Sequence, residues 1–238
     1  MDDFGVKYVN DDDFRHLLAA LRELYKISVD LKGERYVGLT LRWDYTLRKL
    51  EISIPGYITA LLLRLGHPEP AAPQHAPSAC PPPLYGKADL VGPPPATSEL
   101  TDDEHHFIER VTGALLYYAR CVDMTMLVAI NAIATARKHG RRKTLDATVQ
   151  LLNYAATHPN ATVVYHASDM VLHIHSDASY LSESEARSRI GGFFFLSDRP
   201  IDGTKPPSEH PNVMPRLNGA IAAECKLLRH VVSSASEA

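Results

Sequence analysis

Cysteine is scarce in this chain: Cys80, Cys121 and Cys225 are all there are. They are widely spaced and odd in number, so they make no zinc-binding pattern and no complete disulfide framework, and they suit a reducing compartment. No stretch approaches the roughly 20 consecutive apolar residues that cross a bilayer. The first residues, Met1-Asp2-Asp3, are acidic where a secretory signal would be basic. Neither charge is in excess: 25 Lys and Arg against 28 Asp and Glu give a formal −3. That excludes a surface that is basic all over and leaves room for a local basic groove. Tryptophan occurs once, at Trp43, where packing is the expected role. These absences set the expectation of a soluble intracellular protein, in cytoplasm or nucleus, with no membrane partner.

What is present divides the chain. A hydrophobic fraction of 45% over 238 residues is enough to build the core of one or two domains. Most of the 17 prolines fall between Gly66 and Leu100, in "HPEPAAPQHAPSACPPPLYG" and "VGPPPATS". Such a segment favours extended polyproline conformations over a packed core. It is read as a connector, with a proline-rich ligand for another domain as the alternative.

Before the connector, Asp11 to Tyr25 is a helix. Asp11 to Asp13 supply a cap and N-terminal negative charge. Phe14, Leu17, Leu18, Leu21 and Leu24-Tyr25 recur at three and four residues. Ahead of it, Phe4, Val6 and Tyr8 alternate as in a strand, although an acidic terminus that forms no element reads equally well. Two strands, "RYVGLTLRWD" and "RKLEISIP", flank the turn "WDYTLR". A short helix, Tyr57 to Leu65, follows Pro55-Gly56. After the connector, Thr101 and Glu104 form a capping box that opens a helical region to His158. Phe107, Val111, Leu115 and Tyr118 make one apolar stripe; Met124, Leu127, Ile130 and Ile133 another; Leu145, Val149, Leu152 and Tyr154-Ala155 a third. Between the last two helices lie Arg137, Lys138, Arg141, Arg142 and Lys143, the one dense basic cluster. It is either a solvated interhelical loop or a contact to nucleic-acid phosphate.

The stretch "DMVLHIHSDASYLSESEARSRIGGFFFLSD" then carries the chemistry. Alternate residues of a strand face opposite ways, so Leu172 and Ile174 share one face and His173, His175 and Asp177 the other. Asp177 is expected to close this strand, followed by a polar turn. There it either starts the turn, as Asp often does, or offers a hard oxygen ligand to a cation. Gly191 to Leu196 forms the next strand. His173 and His175 with Asp177 or His166 have the arrangement of a zinc site, but a closed site needs more soft ligands. Histidines satisfied by their neighbours are the preferred reading. Val163 to Tyr165 is a further strand, Asn218 to Cys225 a strand or a helix start, and Cys225 to Ala238 a helix.

"HSDASYLSESEARSRIGGFFFLSD" resembles the first hairpin of the RNase H domain in copia-type retrotransposon polyproteins. "VSSASEA", residues 232–238, resembles the segment on that domain's first helix where a second carboxylate sits. Asp2-Asp3 resembles the paired aspartates of a reverse-transcriptase active-site turn. "YVGLTLRWDY" with "ISIPGYI" resembles the hairpin that supports the primer end. "GALLYYARCVDMTMLVAI" and "LLNYAATHPNATVVY" resemble the helical connection, and copia-like proteins carry a proline-containing passage where this chain does. The resemblance implies an α+β chain: a partial palm over residues 1–65, a linker over 66–100, a helical thumb or connection over 101–158 and a partial RNase H-like mixed sheet with helix over 159–238.

By the same resemblance, Asp2, Asp3, Asp177 and Glu237 are catalytic and metal-binding residues for Mg²⁺ or Mn²⁺. The partners implied are an RNA–DNA hybrid or a template–primer. Two cations roughly 4 Å apart, one activating water and one stabilising the leaving oxygen, perform such cleavage. Four acidic positions are expected for the RNase H site, and the chain supplies Asp177 and Glu237. The polymerase site also needs an aspartate from a strand upstream of Asp2. The expectation is a fragment with two half-sites, and the alternative is a non-catalytic remnant serving as a binding or structural module.

Overall fold

The computed structural model describes residues 4–79, 99–137, 140–183, 187–199 and 216–228. Asp2, Asp3, Lys138 and Glu237 lie outside the described residues, as does the expected helix beyond Leu228. Among the described residues the chain is α+β, with five α-helices and two antiparallel sheets.

The helices that make the core are α2 (Tyr57–Leu65), α3 (Asp102–Cys121), α4 (Leu127–Ala136) and α5 (Arg142–Thr157). The capping box starts α3: Thr101 Oγ1 accepts from the Glu104 amide and Glu104 accepts from the Thr101 amide. Ile108, Val111, Leu115 and Tyr118 on α3 are fully buried against Ile58, Met126, Leu151 and Leu152. A short turn, Met124–Met126, joins α3 to α4, and buried Asp123 caps it by accepting from Thr125. Tyr154 of α5 reaches the same Thr125 hydroxyl at 2.8 Å.

The first sheet runs β1 (Arg35–Tyr36), β2 (Leu39–Asp44), β3 (Lys49–Ser53), β4 (Thr162–His166), each neighbour antiparallel. The β2–β3 hairpin matches the expectation. β4, expected with the C-terminal sheet, instead pairs with β3, Val163 opposite Ile52 and Val164 opposite Glu51. The reason is packing: Ile52 and Val163 share a face and both lie against the helical core. The β1–β2 turn uses Val37 at φ +50 and Gly38 at φ +80, the geometry of a tight hairpin turn. Val37 is strained there. Tyr117 of α3 donates to the Val37 carbonyl at 3.1 Å, and a Cβ on Gly38 would stand 3.2 Å from that hydroxyl.

The second sheet is β5 (Val171–Glu183), β6 (Arg187–Ser197), β7 (Ala220–Leu227), in that order and all antiparallel. The mixed sheet implied by resemblance would contain a parallel pair; none occurs among the described residues. Asn218 ties this sheet to the first. Its side chain accepts from the His166 amide and donates to the carbonyls of His166 and Leu196. Tyr165 donates to Ala220 at 2.7 Å, and a Cβ on Gly219 would collide with the Tyr165 ring.

Three expectations need correction. Asp177 does not end its strand: β5 continues to Glu183, because Ala178 and Ser179 find partners in Ile190 and Arg189. Cys225 to Leu227 is strand, since Gly191 and Ile190 offer β7 an open ladder. Residues 67–79, in the segment read as a connector, form no helix or strand but lie along α5. His67 bonds Asn153 at 2.8 Å, the Gln74 amide donates to Thr157, and Gln150 donates to Ala76, pinning them along α5. Phe4 to Asn10 forms no strand, and Tyr8 stacks on Phe14 instead. The helix α1 (Asp11–Leu24), capped by Asn10, buries no residue against any sheet.

Leu115→Ala leaves a void in the α3 interface and is expected to cost about 2–5 kcal/mol in denaturant unfolding. The Asp30 loop provides a pH test. Asp30 accepts from the amides of Arg35, Glu34, Lys32 and Gly33, and those bonds, Arg35 foremost, hold its carboxyl below the ordinary range. A carboxyl depressed on folding stabilises above its unfolded pKa, and that contribution is lost as pH falls through the folded value. Trp43 reports on this loop, since its indole N–H donates to Gly33 at 2.9 Å. Its fluorescence should change below pH about 4 in the native chain, and Asp30→Asn should abolish that acid step.

Candidate functional site

Strand alternation places His173, His175 and Asp177 on one face of β5, as the sequence requires. Across the ladder they meet Phe195, Phe193 and Gly191, and one strand further Ala220, Ala223 and Cys225. The polarity of the faces is the reverse of a simple amphipathic strand. The histidines look onto fully buried Phe195, and Leu172 and Ile174 on the opposite face are about half exposed. His173 stacks on Phe195 with centroids 5.4 Å apart, and its Nε2 lies 3.0 Å from the Asp198 carbonyl, to which it donates. His175 meets the same ring edge-on at 5.2 Å. Both histidines are therefore packing partners of an aromatic residue. His166 is on β4 in the other sheet, and His173, His175 and Asp177 on β5 form no group that could hold a metal among the described residues. Burial, with Arg216 and Lys49 nearby, holds the His166 ring below its usual pKa.

Asp177 is exposed, and one of its oxygens accepts from the Ala178 amide at 2.8 Å. Gly191 opposite it carries no side chain, so the row beside the carboxylate is open. No group of three His, Cys, Asp or Glu stands ready to hold a metal among the described residues. The partner carried over by resemblance, Glu237, is outside them, and so are Asp2 and Asp3.

The basic cluster is partly used internally. Arg137 pairs with Glu109 at 3.0 Å, and Arg142 with Glu104 at 3.4 Å and Asp146 at 3.5 Å. The pairs with Glu109 and Glu104 fasten the end of α4 and the start of α5 to α3, while the Asp146 pair lies within α5. Arg141 and Lys143 are exposed and make no ion pair among the described residues. The β2–β3 hairpin exposes a pair of aromatic rings. Trp43 and Tyr45 stand two residues apart on one face of the β2 end of the hairpin, rings 6.1 Å apart and nearly parallel, 43% and 80% exposed. Arg35, Arg42 and Arg48 are exposed nearby in sequence, but alternation puts Arg35 and Arg42 on the face of the sheet opposite Trp43. Trp43 packs on Tyr45 and bonds Gly33, and the two-residue spacing is the sequence signal for the exposed pair.

No helix is long and apolar enough to cross a membrane among the described residues. Comparison with family models, curated proteins and solved structures finds no match to any of them.

The different roles on β5 and β6 separate in stability. Asp177→Asn is expected to change unfolding free energy by no more than about 0.5 kcal/mol. Phe195→Ala, which removes the ring under both histidines, should cost about 3–5 kcal/mol. Urea unfolding of the two variants beside the native chain measures the contrast.

Proposed function

We propose that this chain is a nucleic-acid-binding piece of a copia-type reverse transcriptase–RNase H polyprotein, which when intact performs RNA-directed DNA synthesis and hybrid cleavage with Mg²⁺ or Mn²⁺. The observation that carries the reading is the β5–β6 hairpin. The segment resembling the first RNase H hairpin forms one, with Asp177 on an open row of its ladder. The β2–β3 hairpin and the helical unit precede it in the order the resemblance implies. The exposed rings of Trp43 and Tyr45 suit stacking on bases, and the exposed cations of the α4–α5 loop suit neutralising phosphates.

The described residues do not fit a resident pair of cations. Asp177 offers one hard oxygen ligand, whereas such ions take about six oxygens, and no second carboxylate stands beside it among them. The chain by itself acts as a binding module, which is the second reading of the sequence. Arg141 and Lys143 provide phosphate contacts, and Trp43 and Tyr45 a platform for unpaired bases.

Anisotropy of a labelled RNA–DNA hybrid tests this across a series of salt concentrations. Binding that weakens with salt is expected, and Arg141→Ala with Lys143→Ala should reduce the salt slope by about one per lost phosphate contact. Binding that is absent or indifferent to salt overturns the nucleic-acid reading. Hybrid cleavage with Mg²⁺ or Mn²⁺ is expected to be negligible; robust cleavage lost in Asp177→Asn would overturn the binding-only reading.

A further inference from the structure

The helix α1 is out of keeping with the rest of the fold. Phe14, Leu17, Leu18, Leu21, Leu24 and Tyr25 repeat at three and four residues, a stripe two heptads long. Stripes of the same kind on α3 and α5 are buried in the core. On α1 no residue is fully buried: Phe14, Leu17, Leu18 and Leu21 are half-buried, with Tyr8 stacked on Phe14, and Leu24 and Tyr25 at the end of the stripe are 77% and 62% exposed. A 14-residue helix is marginal in water without a partner for its apolar face.

We propose that α1 is a self-association surface, through which two copies of this chain pair with their α1 helices antiparallel. The charges on the helix select both the occupant and its direction. The first turn carries Asp11, Asp12 and Asp13, and the last turn carries Arg22, with Lys26 just beyond. A parallel neighbour would set three carboxylates against three carboxylates. An antiparallel copy sets Asp12 against the partner subunit's Lys26, with Arg22 about one turn from Asp13, and opposes the helix dipoles. Under a twofold axis the surface is thus its own complement. Phe14 then lies beside Leu24 of the partner subunit, and Leu17 beside the partner subunit's Leu21. The helix is only about 21 Å long, so the pair buries less than the ~1,200 Å² of a standard stable interface and exchanges reversibly. The proposal rests on α1 alone and is independent of the nucleic-acid reading.

Sedimentation of the full chain over a concentration series reads the association, with circular dichroism checking the helix content of every variant. The native chain is expected to pass from monomer to dimer as concentration rises. Leu17→Glu combined with Leu21→Glu should weaken the dimer about tenfold or more. Asp12→Lys with Asp13→Lys should weaken it, Arg22→Glu with Lys26→Glu should weaken it, and all four together should recover it. A native chain that stays monomeric overturns the proposal. So does a dimer that survives the two leucine changes, which would move the interface to the exposed Leu172–Ile174 face of β5. Charge variants that all behave alike overturn the antiparallel arrangement.

Discussion

Burial of one face of α3 is the constraint on which both sheets depend. Ile108, Val111, Leu115 and Tyr118 draw α2, α4 and α5 together, and the end of the same helix reaches outward through its tyrosines. Tyr118 stacks on Tyr57 at 5.5 Å; its hydroxyl donates to Pro159 and accepts from the Ala161 amide. That fixes the chain just before β4 and delivers the strand to the edge of β3. Tyr117 holds the β1–β2 turn by its carbonyl. Burial pushes the Tyr57, Tyr117 and Tyr118 hydroxyls and the Cys121 thiol above their ordinary pKa values. These groups therefore stay neutral, which suits an interior where an ionised phenol would lack a partner.

The second sheet hangs on fewer and more polar connections. Asn218 serves both sheets with one side chain, Tyr165 adds a bond to Ala220, and Arg189 reaches Asn131 on α4 and the Cys225 sulfur at 3.7 Å. Hydrogen bonds of this kind contribute about 1 kcal/mol each, against several for a buried leucine. The helical core and first sheet are thus expected to be the stable body. The β5–β7 sheet, with Leu172, Ile174 and Ile221 half exposed, is held mainly by its own ladder.

Legibility in the sequence followed how local each determinant is. The α3 cap, the three helical stripes, the β2–β3 hairpin and the alternation of His173, His175 and Asp177 are set by residues a few positions apart. The pairing of β4 with β3 spans more than a hundred residues and depends on two apolar faces meeting a helical core that propensity does not describe. Asp177 was placed at a strand end because Ala178-Ser179 reads as a turn; a partner strand with Ile190 and Arg189 in register overrides that local preference. The pinning of residues 67–79 depended on Gln150, Asn153 and Thr157, polar residues on α5 that no apolar pattern marks. At the candidate site, sequence supplied the row of side chains but not Phe195 beneath the histidines.

Charge completes the account of what this surface can hold. A chain with a net −3 attracts an anionic polymer only where its cations are left over from internal use. Glu104 and Glu109 consume Arg142 and Arg137, so the strength of the basic cluster falls on Arg141 and Lys143. Lys49 is likewise engaged, since its bond to Glu51 is the main reason that carboxyl lies below its usual range. Arg35 and Arg48 make no ion pair among the described residues, and Arg42 has only a long, exposed pair with Glu51 at 3.6 Å, worth little in water. Among the described residues of the helical loop, Arg141 and Lys143 are the cations left without an ion pair, while the β2–β3 hairpin contributes the exposed stacked rings of Trp43 and Tyr45. A phosphate contact alone neutralises charge without regard to strand type. Under the proposed nucleic-acid reading, Trp43 and Tyr45 are the rings that would offer unpaired bases something to stack on, so a preference for single strands would originate at the hairpin rather than at the helical loop.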